Sequence, residues 1–223
     1  MRRQCRLDII KYYLIRSDNV TKLYLTRHGE TEWNLQKKMQ GWHNSPLTQL
    51  GEKQAKWLGD RLAEVELETI YTSTSGRTQR TAELIRGNRN IDLIPKDNLR
   101  EINLGDWEGE FVENIKKQEN EAFRKFWEEP HNYRKETGET FYQLKDRVVP
   151  LIKQIISDHN PNSNILVVTH AAVLKVLMAH FENRPIEKLW DPPFMYQTCL
   201  NLVEINENGY KVLLHGDTSH YQE

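Results

Sequence analysis

Cysteine is nearly absent from this 223-residue chain. The two that exist, Cys5 and Cys199, are too few for a disulfide framework and too far apart for a metal-ligand pair. That usage suits a reducing compartment, so a cytoplasmic protein is expected. No apolar run approaches the roughly 18 residues of a membrane-spanning helix, and no membrane partner is expected. Charge of one sign is also missing: 31 Lys and Arg face 32 Asp and Glu, a formal net of −1. A nucleic-acid binder usually carries a basic surplus, so nucleic acid is not an expected partner. The stretch after Met1-Arg2-Arg3 is interrupted by Asp8 and Lys11 and has no small-residue cleavage site, which argues against a secretory signal.

What is present is a 38% hydrophobic content, enough for one sizeable core, and a length that suits one α/β domain with an insertion. Lys22–Thr26, Thr69–Thr72 and Ile91–Ile94 read as short strands, the last closed by Pro95. The unbroken apolar run Ile165–Val168 reads as a central parallel strand covered on both faces. Thr48 reads as the N-cap of a helix with Leu50, Ala55, Leu58, Leu62 and Val65 at near-helical spacing. Further helices are expected over Arg77–Arg86, from Phe141 with a bend or restart at Pro150, and over Ala171–His180. Two last strands, Cys199–Ile205 and Tyr210–His215, turn through Asn208-Gly209. Glu110–Trp127 is a charged helical excursion carrying Phe111, Phe123, Phe126 and Trp127.

The alternation predicts a three-layer αβα sandwich: a mostly parallel central sheet, helices on both faces, and a helical lid insertion at about 109–137. Residues 22–223 form the expected single domain. Residues 1–21 are an extension, read as disordered or as a mis-assigned start: Arg16-Ser17 can be encoded as a ribosome-binding sequence, with Val20 as the start codon. The rival reading is an amphipathic extension packing Leu7, Ile10, Tyr13 and Leu14 on the domain.

In such sheets, ligands bind beyond the carboxyl ends of the strands. Those ends carry Arg27-His28-Gly29-Glu30-Thr31-Glu32-Trp33-Asn34, then Ser73-Thr74-Ser75-Gly76-Arg77, then Thr169-His170-Ala171-Ala172. Two arginines, an imidazole and a helix N-terminus would cage a tetrahedral dianion, since the planar guanidinium meets phosphate oxygens in pairs. A neutral imidazole in line with phosphorus is a competent nucleophile. A carboxyl group such as Glu101 could protonate a leaving alkoxide and then take a proton from water, although Glu30 and Glu108 have similar claims. The remaining histidines show no metal-ligand spacing, so neither a metal nor any other cofactor is expected.

Taken together, these motifs resemble the histidine phosphatase superfamily, which includes the cofactor-dependent phosphoglycerate mutases. The likeness runs from Lys22 to about Tyr221. Arg-His-Gly alone is a weak signal, whereas four separated motifs in family order are a strong one. The resemblance implies that His28 is phosphorylated, that Arg27, Arg77 and His170 hold the phosphoryl group, that Asn34 adds a hydrogen bond, and that Glu101 is the proton donor. Gln40, in Gln40-Gly41-Trp42, and Thr48, in Pro46-Leu47-Thr48, are further implied contacts. The chain departs from the family at Ala171-Ala172, where glycine is common: alanine keeps the backbone N–H but would be strained at a positive φ.

The family's mutases carry a longer insertion and a Glu-Arg-His-Tyr-Gly motif, whereas here Glu101 is followed by Ile102-Asn103-Leu104-Gly105. The lid holds six basic residues (Lys116, Lys117, Arg124, Lys125, Arg134, Lys135) against seven acidic ones, without the basic excess a bisphosphate would call for. The expected activity is therefore metal-independent hydrolysis of small-molecule phosphate monoesters through phosphohistidine. A mutase and a catalytically silent phosphate-binding module are the alternatives. The aromatic lid hints at apolar or aromatic alcohols; a broad phosphomonoesterase, a ribazole-phosphate phosphatase and a sugar-phosphate phosphatase all stay open.

Overall fold

A computed structural model describes residues 19–222, so the expected N-terminal extension lies almost wholly outside the described residues. Its six strands are β1 (Thr21–Arg27), β2 (Thr69–Ser73), β3 (Asp92–Lys96), β4 (Asn164–Thr169), β5 (Leu200–Asn206) and β6 (Gly209–Asp217). Seven α-helices are described: α1 (Glu32–Leu35), α2 (Gln49–Arg61), α3 (Gly76–Arg86), α4 (Val112–Gln118), α5 (Asn120–Glu128), α6 (Phe141–Ser157) and α7 (Ala171–Phe181). The strands form one sheet in the order β3-β2-β4-β1-β5-β6. Pairing is parallel from β3 through β1 and antiparallel at β5 and β6.

Alternation along the inner strands sends side chains to opposite faces. Leu23, Leu25, Ile165 and Val167 enter one core with α6 and α7. Tyr24, Ile70, Leu166 and Val168 enter the other, with Ala55 and Leu58 of α2 and Ala82 and Ile85 of α3. Strand β4 is accordingly central, and Ile165 to Val168 are each 0% exposed. Each such side chain contributes about 1.5–3 kcal/mol by leaving water. The expected three layers are therefore present.

Three local expectations need correction. Helix α6 runs unbroken through Pro150. Pro150 and Asp146, whose carbonyl loses its N–H partner, both lie on the exposed side, where water can hydrate that carbonyl. Strand β3 continues through Pro95 to Lys96, since it is an edge strand with no neighbour on its far side. Helix α2 stops at Arg61, short of Val65, and Leu50 is 43% exposed rather than packed.

The lid branches off through main-chain bonds to the loop after α1: Gly109 N–H donates to Met39 O at 2.8 Å and Val112 N–H to Lys37 O at 2.9 Å. Phe126 of α5 is the hub that docks it. Its ring meets Tyr133 and Phe141 at 5.0 Å and Trp190 at 5.6 Å between centroids.

Candidate active site

The parallel strands β1, β2 and β4 end side by side, with Arg27 in register with Thr169 and Thr72 with Val168. Their successors therefore meet at one rim. A cavity of about 130 Å³ opens there, lined on its polar side by Arg27, His28, Asn34, Gln40, Arg77 and Glu101, with Lys38 beside them. Phe126, Trp127, Trp190, Ile102 and Leu104 form the apolar wall, and Ala171 and Ala172 the floor. Larger grooves of about 490 and 660 Å³ exist on the surface, but neither gathers buried charged groups.

His28 is 3% exposed, and its Nδ1 lies 2.7 Å from the Gly29 carbonyl oxygen. A carbonyl only accepts, so Nδ1 carries the proton and Nε2 keeps its lone pair. Burial, then the charges of Arg77 and Arg27, hold this imidazole well below its ordinary value of 6.5. It is neutral at physiological pH. The Gly29 N–H donates to Thr81 Oγ1 at 3.0 Å, which ties the turn after His28 to helix α3.

Arg77, only 1% exposed, donates to His43 O at 2.6 Å, to Gly41 O at 2.8 Å and to His170 Nδ1 at 3.1 Å. Arg27 donates from Nη1 to Met195 O at 2.9 Å. The buried Nε–H of each guanidinium has no acceptor among the described residues, and neither does Gln40 a partner for Oε1. Buried donors of that strength are rarely left unpaired, and those of Arg27 and Arg77 belong to residues that line the cavity, whereas the unpaired Nε–H groups of Arg86 and Arg184 do not. Burial lowers both arginines, Arg77 to about 10, which still leaves it cationic at neutral pH.

Asn34 is held by a capping box at α1: its N–H donates to Thr31 Oγ1 at 3.2 Å, and its Oδ1 accepts the Thr31 N–H at 3.1 Å. Among the described residues the amide NH2 has no partner, and Asn34 lines the cavity. Glu101 also lines the cavity, with Oε1 accepting from Ile102 N–H at 2.9 Å and Oε2 from Ala172 N–H at 3.3 Å. Its rivals are committed elsewhere. Glu108 accepts the N–H groups of Trp42 at 2.8 Å, His43 at 3.0 Å and Leu104 at 3.1 Å. Glu30 accepts from the Thr48 hydroxyl at 2.8 Å.

His170 is 0% exposed and lies edge-on to His28, with ring centroids 5.4 Å apart. Arg77 can only donate, so Nδ1 accepts, and the Nε2 proton goes to Ser73 Oγ at 2.9 Å. Burial, followed by Arg77 and His28, keeps this ring neutral too. His170 therefore reaches the site as a brace on Arg77, with both ring nitrogens engaged. Ala171 opens helix α7 and is not among the residues with positive φ, so alanine is unstrained where the family commonly has glycine.

Thr48 and His170 are the two nominated contacts that do not line the cavity, and of these only His170 touches a residue that does, Arg77. The Thr48 hydroxyl accepts the Gly51 N–H at 2.9 Å as the cap of α2 and donates its one proton to Glu30, so it has no donor left for a phosphate oxygen. Ser73, Lys38 and Trp190 were not singled out from the sequence. Only Ser73, a hydroxyl at a strand end two residues before Ser75, carried a local signal.

Comparison with known proteins agrees with this geometry. The family model of the histidine phosphatase superfamily (branch 1) matches residues 23–218. The solved structure of YhfR from Bacillus stearothermophilus is similar, with 46% identity and a TM-score of 0.87 over 90% of this chain and 98% of that one. Phosphoserine phosphatase 1 of Hydrogenobacter thermophilus is 33% identical over 171 residues, 77% of this chain and 81% of that protein. An Escherichia coli K12 protein named as a probable phosphoglycerate mutase is 32% identical over 206 residues, 89% of this chain and 94% of its own length.

Proposed function

The chain belongs to the histidine phosphatase superfamily, and from that premise we propose that it hydrolyses small-molecule phosphate monoesters through a phosphohistidine on His28. One observation carries the reading. Two buried guanidiniums with unspent N–H donors flank a neutral imidazole whose Nε2 lone pair is free.

In the first half-reaction His28 Nε2 attacks phosphorus and the ester P–O bond breaks. The proton carried by Glu101 passes to the departing alkoxide, which leaves as the alcohol. In the second, the Glu101 carboxylate takes a proton from water as that water attacks phosphorus. Phosphate leaves, and His28 and Glu101 return to their starting states. Arg27, Arg77, the Asn34 amide and the Ala171 N–H supply donors to the phosphoryl oxygens throughout. A loose phosphoryl-transfer transition state needs little beyond such positioning and charge neutralisation.

Hydrolysis is favoured over mutase chemistry by the second half of the cavity. None of the six basic lid residues lines it; the lid contributes Phe126 and Trp127 instead. Most of the lid cations are spent on neighbouring carboxylates, as Lys117 is on Glu113 at 2.6 Å and Lys135 on Asp106 at 2.6 Å. Among the described residues, a second phosphate group would find Lys38 as its one cation outside the Arg27–Arg77 pair, and none from the lid. The apolar wall favours an alcohol with a hydrophobic body.

The deciding assay measures inorganic phosphate release from a panel of monoesters in EDTA, with 3-phosphoglycerate isomerisation followed in parallel in the presence of 2,3-bisphosphoglycerate. Metal-independent release that vanishes in His28→Ala is expected. Isomerisation without net release would make the protein a mutase, and phosphate binding without either would make it a binding module.

A further inference from the structure

Helix α7 is apolar along nearly its whole length, yet Lys175 sits in it at 1% exposure. An ammonium so deeply buried usually has a carboxylate partner. This one donates instead to two main-chain carbonyls, Asp191 O at 2.5 Å and Pro193 O at 2.9 Å. Nothing in the hydrolytic mechanism uses this charge.

The carbonyls belong to the segment 190–198, which contributes to the site at two points. The Trp190 side chain lines the cavity, and Met195 O accepts from Arg27 Nη1 at 2.9 Å. The segment closes back on β1 where Thr198 N–H donates to Arg27 O at 3.1 Å. Its other side-chain support at this point is weak: Arg184 Nη1 reaches Asp191 O at only 3.4 Å. On the outer side Phe194 and Tyr196 are 55% and 53% exposed and pack edge-on against each other at 4.9 Å between centroids.

We propose that Lys175 is a positioning residue of the active site. Its ammonium fixes the carbonyls of Asp191 and Pro193, and through them holds Met195 O where it anchors the Arg27 guanidinium. The proposal rests on the cavity being the phosphoryl site. A charged clamp made only of carbonyl contacts weakens when the charge is lost. The charged or titratable groups around the ammonium are Arg184, Asp191, Glu182 and Cys199, with His215 paired to Glu182 at 2.8 Å. Burial first, then Arg184, bring Lys175 down to about 8, against the opposing pull of Asp191 and Glu182. The clamp is thus charged at neutral pH and discharges just above it.

The test is calorimetric binding of inorganic phosphate to the wild type, Lys175→Met and Lys175→Arg, with kcat and KM for 4-nitrophenyl phosphate measured alongside. Between about pH 7.5 and 9.5, where phosphate stays mainly the dianion, wild-type affinity is expected to fall several-fold as the ammonium titrates. Lys175→Met, checked for folding by circular dichroism, should bind about tenfold more weakly at pH 7.5 and show little further change. Lys175→Arg should lose much less affinity than the wild type across the range, because a guanidinium starts from a value about two units above that of an ammonium. A wild-type affinity that is flat over this range overturns the proposal even if neither variant folds. So does a folded Lys175→Met that binds as the wild type does. Binding that follows the expected pattern without turnover would support the clamp and overturn the hydrolase reading. Absence of binding to the wild type would overturn both.

Discussion

Arg147 donates from Nη2 to the main-chain carbonyl of Glu101 across 2.7 Å. The same guanidinium takes the carbonyls of Asn98 and Arg100, each at 2.9 Å, and its Nε pairs with Glu139 Oε1 at 2.7 Å. Glu139 in turn accepts the Asn103 N–H at 2.8 Å. A half-buried ion pair thereby grips the loop on both sides of the proposed proton donor without touching the cavity. Misplacing a catalytic group by about 1 Å can cost two orders of magnitude in rate. Arg147→Met is expected to lower kcat about 10–100-fold while phosphate inhibition changes less than about twofold. Steady-state kinetics with phosphate as competitive inhibitor checks this; equal losses in both would mean that the whole cage had collapsed.

In the proposed mechanism His28 acts only when neutral, and burial with the charges of Arg77 and Arg27 depresses its proton affinity. The acidic limb of kcat/KM that it sets should therefore fall well below pH 6.5. A limb at or above 6.5 in a pH–rate profile would contradict the assignment.

The same depression has a consequence for stability. Between the folded and unfolded values of His28 and His170, the unfolded chain binds more protons. Their contribution is thus fully present above about pH 6.5 and is lost as pH falls from there toward the folded values. Urea midpoints should drop on acidification below that point. His28→Asn/His170→Asn should flatten the slope, by at most about 1.4 kcal/mol per pH unit for each histidine.

Gly29 and Gly51 face each other at the start of the site. A Cβ at Gly29 would meet the main-chain oxygen of Gly51, and one at Gly51 would meet that of Glu30. Backbone cannot swing aside as a side chain does, so alanine at either position should destabilise by about 1–3 kcal/mol. Thermal unfolding gives the stability loss. A fall in activity at temperatures where the variant is still folded would report the displaced His28.

Trp127 is 37% exposed and forms part of the cavity wall. Its replacement by alanine should destabilise by about 1–3 kcal/mol, because the ring packs on Phe126 and Trp190 at 4.9 and 4.6 Å between centroids. KM for aryl phosphates should rise several-fold while that for a small polar ester such as glycerol phosphate stays put. Equal effects on both would mean that Trp127 supports the lid rather than the substrate.

Much of this was legible in the sequence because it is local. Apolar strand runs, the Thr48 cap and the alternation of strands with helices each follow from neighbouring residues, and the rule that ligands gather at strand ends then points to residues 27, 77 and 170. What stayed hidden depends on distance. Thr48 and Asn34 are both polar residues beside the nucleophile's motif. Only the folded chain reveals that the Thr48 hydroxyl gives its one proton to Glu30, while the Asn34 amide NH2 has no partner among the described residues. The grip of Arg147 on Glu101 spans 46 residues and had no signature. Lys175 did have one, a lone lysine inside an apolar helix, but its role depends on carbonyls 16 and 18 residues later. Pro150 does not restart the helix because it and Asp146 lie on the side of α6 that faces water, which the sequence order alone does not reveal.

The sheet order sets a timetable for synthesis. Strand β1 is the first of the described strands to emerge from the ribosome, yet both of its neighbours, β4 and β5, are encoded only after β2 and β3. At about 5–20 residues per second, the wait from Arg27 to the start of β4 is roughly 7–30 s. During it, the segment carrying His28 has no sheet partner, and Arg27 lacks the Met195 carbonyl that anchors it. A chain interrupted anywhere before β5 would hold the nucleophile's sequence but not its cage. Reactivity toward phosphate esters is thereby withheld from chains whose synthesis has not yet reached β5.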